Sequence, residues 1–91
     1  MPERCAVSVT IVNELGLHAR PATALADVAN RFESSVRVRK GSDEVDGKSI
    51  MEIMMLAATK GTTLELVCEG TDAHACAEEL KSLVERGFDE E

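Results

Sequence analysis

Two hydrophobic periods alternate along this chain, and their order restricts the fold to a few architectures. Between Cys5 and Val12, Val7, Val9 and Ile11 alternate with Ala6, Ser8 and Thr10, the period of two of a strand covered on one face. From Pro21 to Phe32 the period lengthens. Ala22, Leu25, Ala26, Ala29 and Phe32 recur at steps of three and four, which draws one apolar stripe along a helix. Period two returns in SSVRVRK, where Val36 and Val38 face away from Arg37 and Arg39. Turn residues in KGSDE then lead to a short partner stretch, Glu44 to Asp46, so a hairpin is predicted. Ser49 is placed to cap a second helix carrying Ile50, Met51, Ile53, Met54 and Leu56 and ending near Lys60 and Gly61. TTLELVCEG alternates again, with Leu64, Leu66 and Cys68 against Thr63, Glu65 and Glu69. Thr71 is expected to cap a last helix with apolar positions Ala73, Cys76, Ala77, Leu80, Leu83 and Val84, stopped at Gly87 before the acidic tail Asp89 to Glu91.

The order strand, helix, strand, strand, helix, strand, helix, with strands apolar on one face, predicts a two-layer α+β fold: a sheet covered on one side by helices. Periodicity leaves the order of the strands in that sheet open. Ninety-one residues leave room for one core, so a single domain over 1–91 is expected. The net charge of −7 opposes approach to nucleic acid or to an anionic membrane. Two phenylalanines without Trp or Tyr supply no platform for stacking bases. The opening MPERCAVSVT sets acid beside base with no apolar run of signal length, and nowhere do 18 apolar residues follow one another. A cytoplasmic protein without membrane insertion is expected. Cys5, Cys68 and Cys76 form an odd set without a C-x-x-C pair, and only two histidines accompany them. That set suggests packing thiols rather than a disulfide framework or a metal site.

The segment GLHARPA, Gly16 to Ala22, carries the chemistry. Proline is tolerated in a helix only within the first turn, so Pro21 dates a helix start that includes Ala19 and Arg20 and leaves His18 at or beside the N-cap. There the backbone N–H groups of the helix start lack intrahelical partners and favour an anion. A neutral imidazole has one ring nitrogen with a lone pair able to attack phosphorus. The product carries about two negative charges, which helix N–H groups and the Arg20 guanidinium are suited to hold. His74 lacks a comparable glycine or basic context and reads as structural.

GLHARPA followed by a helix and later by GKSIMEIMML resembles the HPr family, the histidine-containing phosphocarriers of the phosphoenolpyruvate-dependent sugar phosphotransferase system. The likeness runs from about Cys5 to Gly87 in the same order of elements. It implies an open-faced β-sandwich, β-α-β-β-α-β-α, with a four-stranded antiparallel sheet and three helices on one side. It also implies a carrier rather than an enzyme; a monomer without a cofactor is expected, although the sequence leaves the oligomeric state open. In that reading His18 takes a phosphoryl group on Nδ1 from phosphorylated enzyme I and passes it to enzyme IIA domains, assisted by Arg20.

Ser49 has two compatible roles. Its hydroxyl suits an N-cap, and the resemblance makes it a regulatory target of an ATP-dependent HPr kinase/phosphorylase. A phosphate there adds about two negative charges to the docking surface and is expected to weaken transfer from enzyme I. Ile50, Met51, Ile53, Met54, Met55 and Leu56 surround most of their helix, more than one buried stripe accounts for, which leaves an apolar patch suited to docking. The resemblance assigns partner contact to Ile50, Met51 and Met54. Glu52 departs from the glycine that many serine-regulated relatives carry at its position. The alternative function is a regulatory phosphoprotein or binding module in carbon or nitrogen control, without a main role in sugar transport. The retained His18 favours the carrier.

Overall fold

The structure, a computed structural model, describes residues 3–89. Met1 and Pro2 of the opening MPERCAVSVT, and Glu90 and Glu91 of the acidic tail considered above, lie outside the described residues. Four strands, β1 (Glu3–Thr10), β2 (Ser35–Lys40), β3 (Asp43–Asp46) and β4 (Thr63–Gly70), form one antiparallel sheet in the order β1-β4-β2-β3. Three helices, α1 (Ala19–Ala29), α2 (Ile50–Met55) and α3 (Ala73–Glu85), cover one face. The last strand therefore enters between the first two, and the α+β architecture expected from the periodicities is the one observed.

Register aligns the apolar halves of the strands. Val9 stands opposite Leu64, Val7 opposite Leu66, and Cys5 opposite Cys68, while Val36 and Val38 meet Cys68 and Leu66 from the other side. Directly opposed residues share a face, so one layer of side chains faces the helices. Against it pack Pro21, Ala22, Leu25, Ala26 and Ala29 of α1, Ile53 of α2, and Ala73, Cys76, Ala77, Leu80, Leu83 and Val84 of α3. Leu25, Ile53, Leu64, Leu66 and Leu80 are fully buried, each a contribution of about 1.5–3 kcal/mol. The open face carries Arg39 bonded to Glu65 and Arg37 bonded to Glu44, exposed pairs worth about 0–1 kcal/mol apiece.

Several boundaries differ from the sequence expectation. β1 ends at Thr10, yet Ile11 is buried and extends the ladder, donating to Thr62 O and accepting from Gly61 N. α1 stops at Ala29 because the Asn30 side chain and N–H both bond Ala26 O, and Phe32 packs on the core from the following turn. α2 ends five residues before Lys60, and Lys40 Nζ donates to Leu56 O just past its end. The cap of α3 is Asp72 rather than Thr71. Its carboxylate does not cap the helix but turns across to the end of the α1–β2 turn, accepting from Glu33 N at 2.9 Å, Ser34 N at 3.0 Å and Ser34 Oγ.

Those bonds, the Ser34 hydroxyl first, hold the Asp72 carboxyl below the usual carboxylate value. A depressed folded value means stability that is present above the ordinary Asp pKa and is lost as pH falls through the folded one. Asp72→Asn is expected to melt lower than the parent at pH 7, with the gap narrowing below about pH 4. Thermal midpoints at pH 7 and pH 2.5 check this, and an equal gap at both would show that the charge is not what matters.

Candidate functional site

The loop from β1 to α1 is fixed before it reaches His18. Asn13 Nδ2 donates to Gly16 O at 2.8 Å and Gly16 N to Asn13 O at 3.2 Å, closing a tight turn. Gly16 has φ +66, and a Cβ there would meet the Ala58 carbonyl oxygen and come within 2.8 Å of Thr59 Cα. Next door, Leu17 is buried and its N–H bonds Ala58 O at 2.9 Å. Lys60 Nζ bonds Glu14 at 2.6 Å and holds that carboxyl below its ordinary value. The loop is thus riveted to the segment that follows α2.

His18 emerges from this anchor as the N-cap of α1, with extended φ −77 and ψ −171. Its carbonyl accepts from Ala22 N, and its half-buried side chain makes no capping bond. The N–H groups of Ala19 and Arg20 are among those that a helix start cannot pair internally, and the side chain best placed to cap them does not. No acidic residue occupies the first turn, so the positive end of the helix is not neutralised locally. Arg20 is exposed, and among the described residues no hydrogen bond or ion pair holds its guanidinium. His18, Ala19 and Arg20 line a groove of about 640 Å³ that continues along α1 past Thr23, Ala24 and Asp27. The structure therefore brings together the predicted nucleophile, cation and helix start in one surface site.

α2 presents a second, apolar surface. Ile53 and Leu56 are buried, whereas Ile50, Met51 and Met54 are exposed at 38%, 77% and 42%. Met55, counted in the apolar surface of this helix but not among the assigned partner contacts, is as exposed as Met51, and Leu15 of the His18 loop, which the sequence reading did not single out, is 74% exposed. The signal for Met55 was available in the helical spacing, since Ile53 fixes the inward direction and places Met55 well away from it. Ser49 caps α2, its Oγ accepting from Glu52 N at 3.3 Å. The Glu52 carboxylate folds back to accept from Asp46 N at 3.1 Å. It neutralises the helix start next to Ser49. Among the described residues, no group of His, Cys, Asp and Glu side chains is arranged to hold a metal ion, and no helix is long and apolar enough to cross a membrane.

Comparison with known proteins gives this geometry its class. A family model described as the PTS HPr component phosphorylation site matches residues 6–86. A phosphocarrier protein HPr of Pseudomonas aeruginosa is 48% identical over 86 residues, which are 93% of this chain and 96% of that protein. The crystal structure of HPr-C-His from Thermoanaerobacter tengcongensis is similar at a TM-score of 0.92 and 39% identity, covering 96% of this chain and 98% of that one. An HPr dimer from the same organism gives 0.77 at 39% identity over 92% and 97%. The class is that of small phosphocarrier proteins, which are not enzymes, acting in the phosphotransferase system. Within that class the chain belongs to the HPr family.

Proposed function

We propose that His18 is the residue that carries the phosphoryl group, accepting it from phosphorylated enzyme I, which is charged by phosphoenolpyruvate, and delivering it to enzyme IIA domains. The observation that carries this reading is His18 at the N-cap of α1, outside the helix and beside the N–H groups of Ala19 and Arg20. In the transfer, the lone pair of His18 Nδ1 attacks phosphorus as the bond to the donor breaks. The N–H groups of the first turn and the Arg20 guanidinium offset the dianion that results. The same contacts weaken when the group moves on, so they balance the carrier between donor and acceptor rather than trapping it. Ile50, Met51 and Met54 form the docking patch for both partners, and their exposed apolar area supports that role. The chain acts as a monomeric single domain in the cytoplasm, one copy engaging one partner at a time.

Ser49 is proposed as the regulatory acceptor for an ATP-dependent HPr kinase/phosphorylase. Its hydroxyl is half-buried and engaged with Glu52 N, and the Glu52 side chain in the first turn adds a like charge beside any phosphate placed there. Modification therefore has to break a cap against the repulsion of a neighbouring carboxylate.

Incubating the chain with phosphoenolpyruvate and catalytic enzyme I, then mapping phosphate by mass spectrometry at alkaline pH, tests the carrier reading. One acid-labile phosphate on His18 is expected. Phosphate on His74, or only acid-stable phosphate on a hydroxyl, would sink it.

A further inference from the structure

The three cysteines, scattered in sequence, converge far from the phosphate site. Cys5 on β1 stands directly opposite Cys68 on β4, and Cys76 on α3 interacts with Cys68 through its thiol. Five residues separate Cys5 from the end of β1 that feeds the His18 loop, about 17 Å along an extended strand. Directly opposed Cα atoms in an antiparallel pair lie about 4.5–5.5 Å apart. A disulfide needs about 4.4–6.8 Å, so the sheet register itself places Cys5 and Cys68 within bonding reach, side chains on the same face.

Access divides the three thiols. Cys68 and Cys76 are 0% exposed, whereas Cys5 is only partly buried. It lines an open groove of about 370 Å³ between β1 and α3, with Val7, His74, Ala77, Glu78 and Lys81. A small uncharged oxidant reaches Cys5 through that groove and reaches the other two only by way of an opening of the core. Buried thiols are otherwise inert.

We infer that Cys5 and Cys68 are an oxidative modification site, at which hydrogen peroxide oxidises Cys5 and Cys68 closes a cross-strand disulfide. In the first step the Cys5 thiolate attacks one peroxide oxygen, the O–O bond breaks, and the departing hydroxide takes up a proton as water, leaving Cys5 as the sulfenic acid. In the second step the Cys68 sulfur attacks the Cys5 sulfur, the S–O bond breaks, and the hydroxyl leaves with the Cys68 proton as the second water. Two thiols lose two electrons in all, and the peroxide is reduced to two waters. The second step is the slow one: burial, with the neighbouring thiols, pushes the Cys68 thiol up to about 12, so its reactive thiolate is scarce. The site is independent of the carrier reading, because His18 and Arg20 take no part in it.

The test is hydrogen peroxide treatment of the reduced full chain, followed by alkylation in denaturant and a non-reducing peptide map. The expected product is about 2 Da lighter than the reduced chain before alkylation. One cysteine of three remains open to alkylation, a single peptide pair joins Cys5 to Cys68, and dithiothreitol reverses the change. Cys5→Ser should abolish the link and Cys76→Ser should retain it; where Cys76→Ser fails to fold, the parent map decides. A link that persists in Cys5→Ser, a dimer joined through Cys5, or Cys5 advancing to sulfinic acid while Cys68 stays alkylatable would each overturn the assignment.

Discussion

His18→Ala, incubated with phosphoenolpyruvate and enzyme I, is expected to take up no phosphate, while retaining the helical and strand signals of the parent by circular dichroism. The loss should be complete, because no other group combines a ring nitrogen with an electropositive setting. His74 is the only other histidine. It stands in the first turn of α3 with Glu3 3.6 Å away and shares its groove with Glu78. Two carboxylates oppose the dianion that transfer would place there. The fold should survive because the His18 side chain is half-buried and contributes no capping bond, so truncation costs a surface increment of about 0.5 kcal/mol or so. Arg20→Ala makes the useful contrast. It leaves the nucleophile in place and removes one of the charges that offset the phosphate, so transfer should slow by about 10- to 100-fold rather than stop. Rapid-quench transfer rates separate the two cases. Label retained by His18→Ala would transfer the carrier role elsewhere, and an unchanged Arg20→Ala rate would remove the guanidinium from it.

What made this site legible in the sequence was a residue with one structural meaning. Pro21 cannot sit deep in a helix, so it fixed the start of α1 and, three residues back, the place of His18. The inward faces of β1, β4 and α3 were equally plain, because period two and steps of three and four survive when a single face is buried. Strand order was not legible. An alternating pattern states which face of a strand is covered but carries no information about its neighbour, and the entry of β4 between β1 and β2 depends on crossovers of α1 and α2. The α3 cap was misassigned for a related reason. Thr71 and Asp72 are both good capping residues, and only the arrival of Ser34 from a distant turn draws the Asp72 carboxylate outward. The rivets under the active loop, Leu17 N to Ala58 O and Lys60 to Glu14, join segments more than 40 residues apart and left no local trace.

Gly16→Ala should be among the most damaging single-methyl changes available to this chain. Two costs coincide at that position. An alanine at φ +66 pays about 1–2 kcal/mol for the left-handed region, and its Cβ meets the Ala58 carbonyl and Thr59 Cα, backbone atoms that cannot rotate away. Together they predict a loss of about 3 kcal/mol, or a fall in the thermal midpoint of about 15 °C for a domain of this size. The clash also pushes on the segment that holds Leu17, so the loop can relieve it only by lifting off Ala58 and carrying His18 with it. Since a misplacement of about 1 Å costs about 100-fold in a transfer reaction, the folded fraction of the variant should also be a poor acceptor. Gly41 provides the control. It has φ +61 and nothing within 4 Å of the added Cβ, so Gly41→Ala isolates the conformational cost and should lose only about 1 kcal/mol, with phosphate uptake unchanged. Were the two variants equally destabilised, and both equally competent, the close approach of Gly16 to Ala58 would have no part in placing the histidine. A larger loss at Gly16 that is accompanied by slow transfer identifies the contact between the loop and the end of α2 as what aims His18 at its partners.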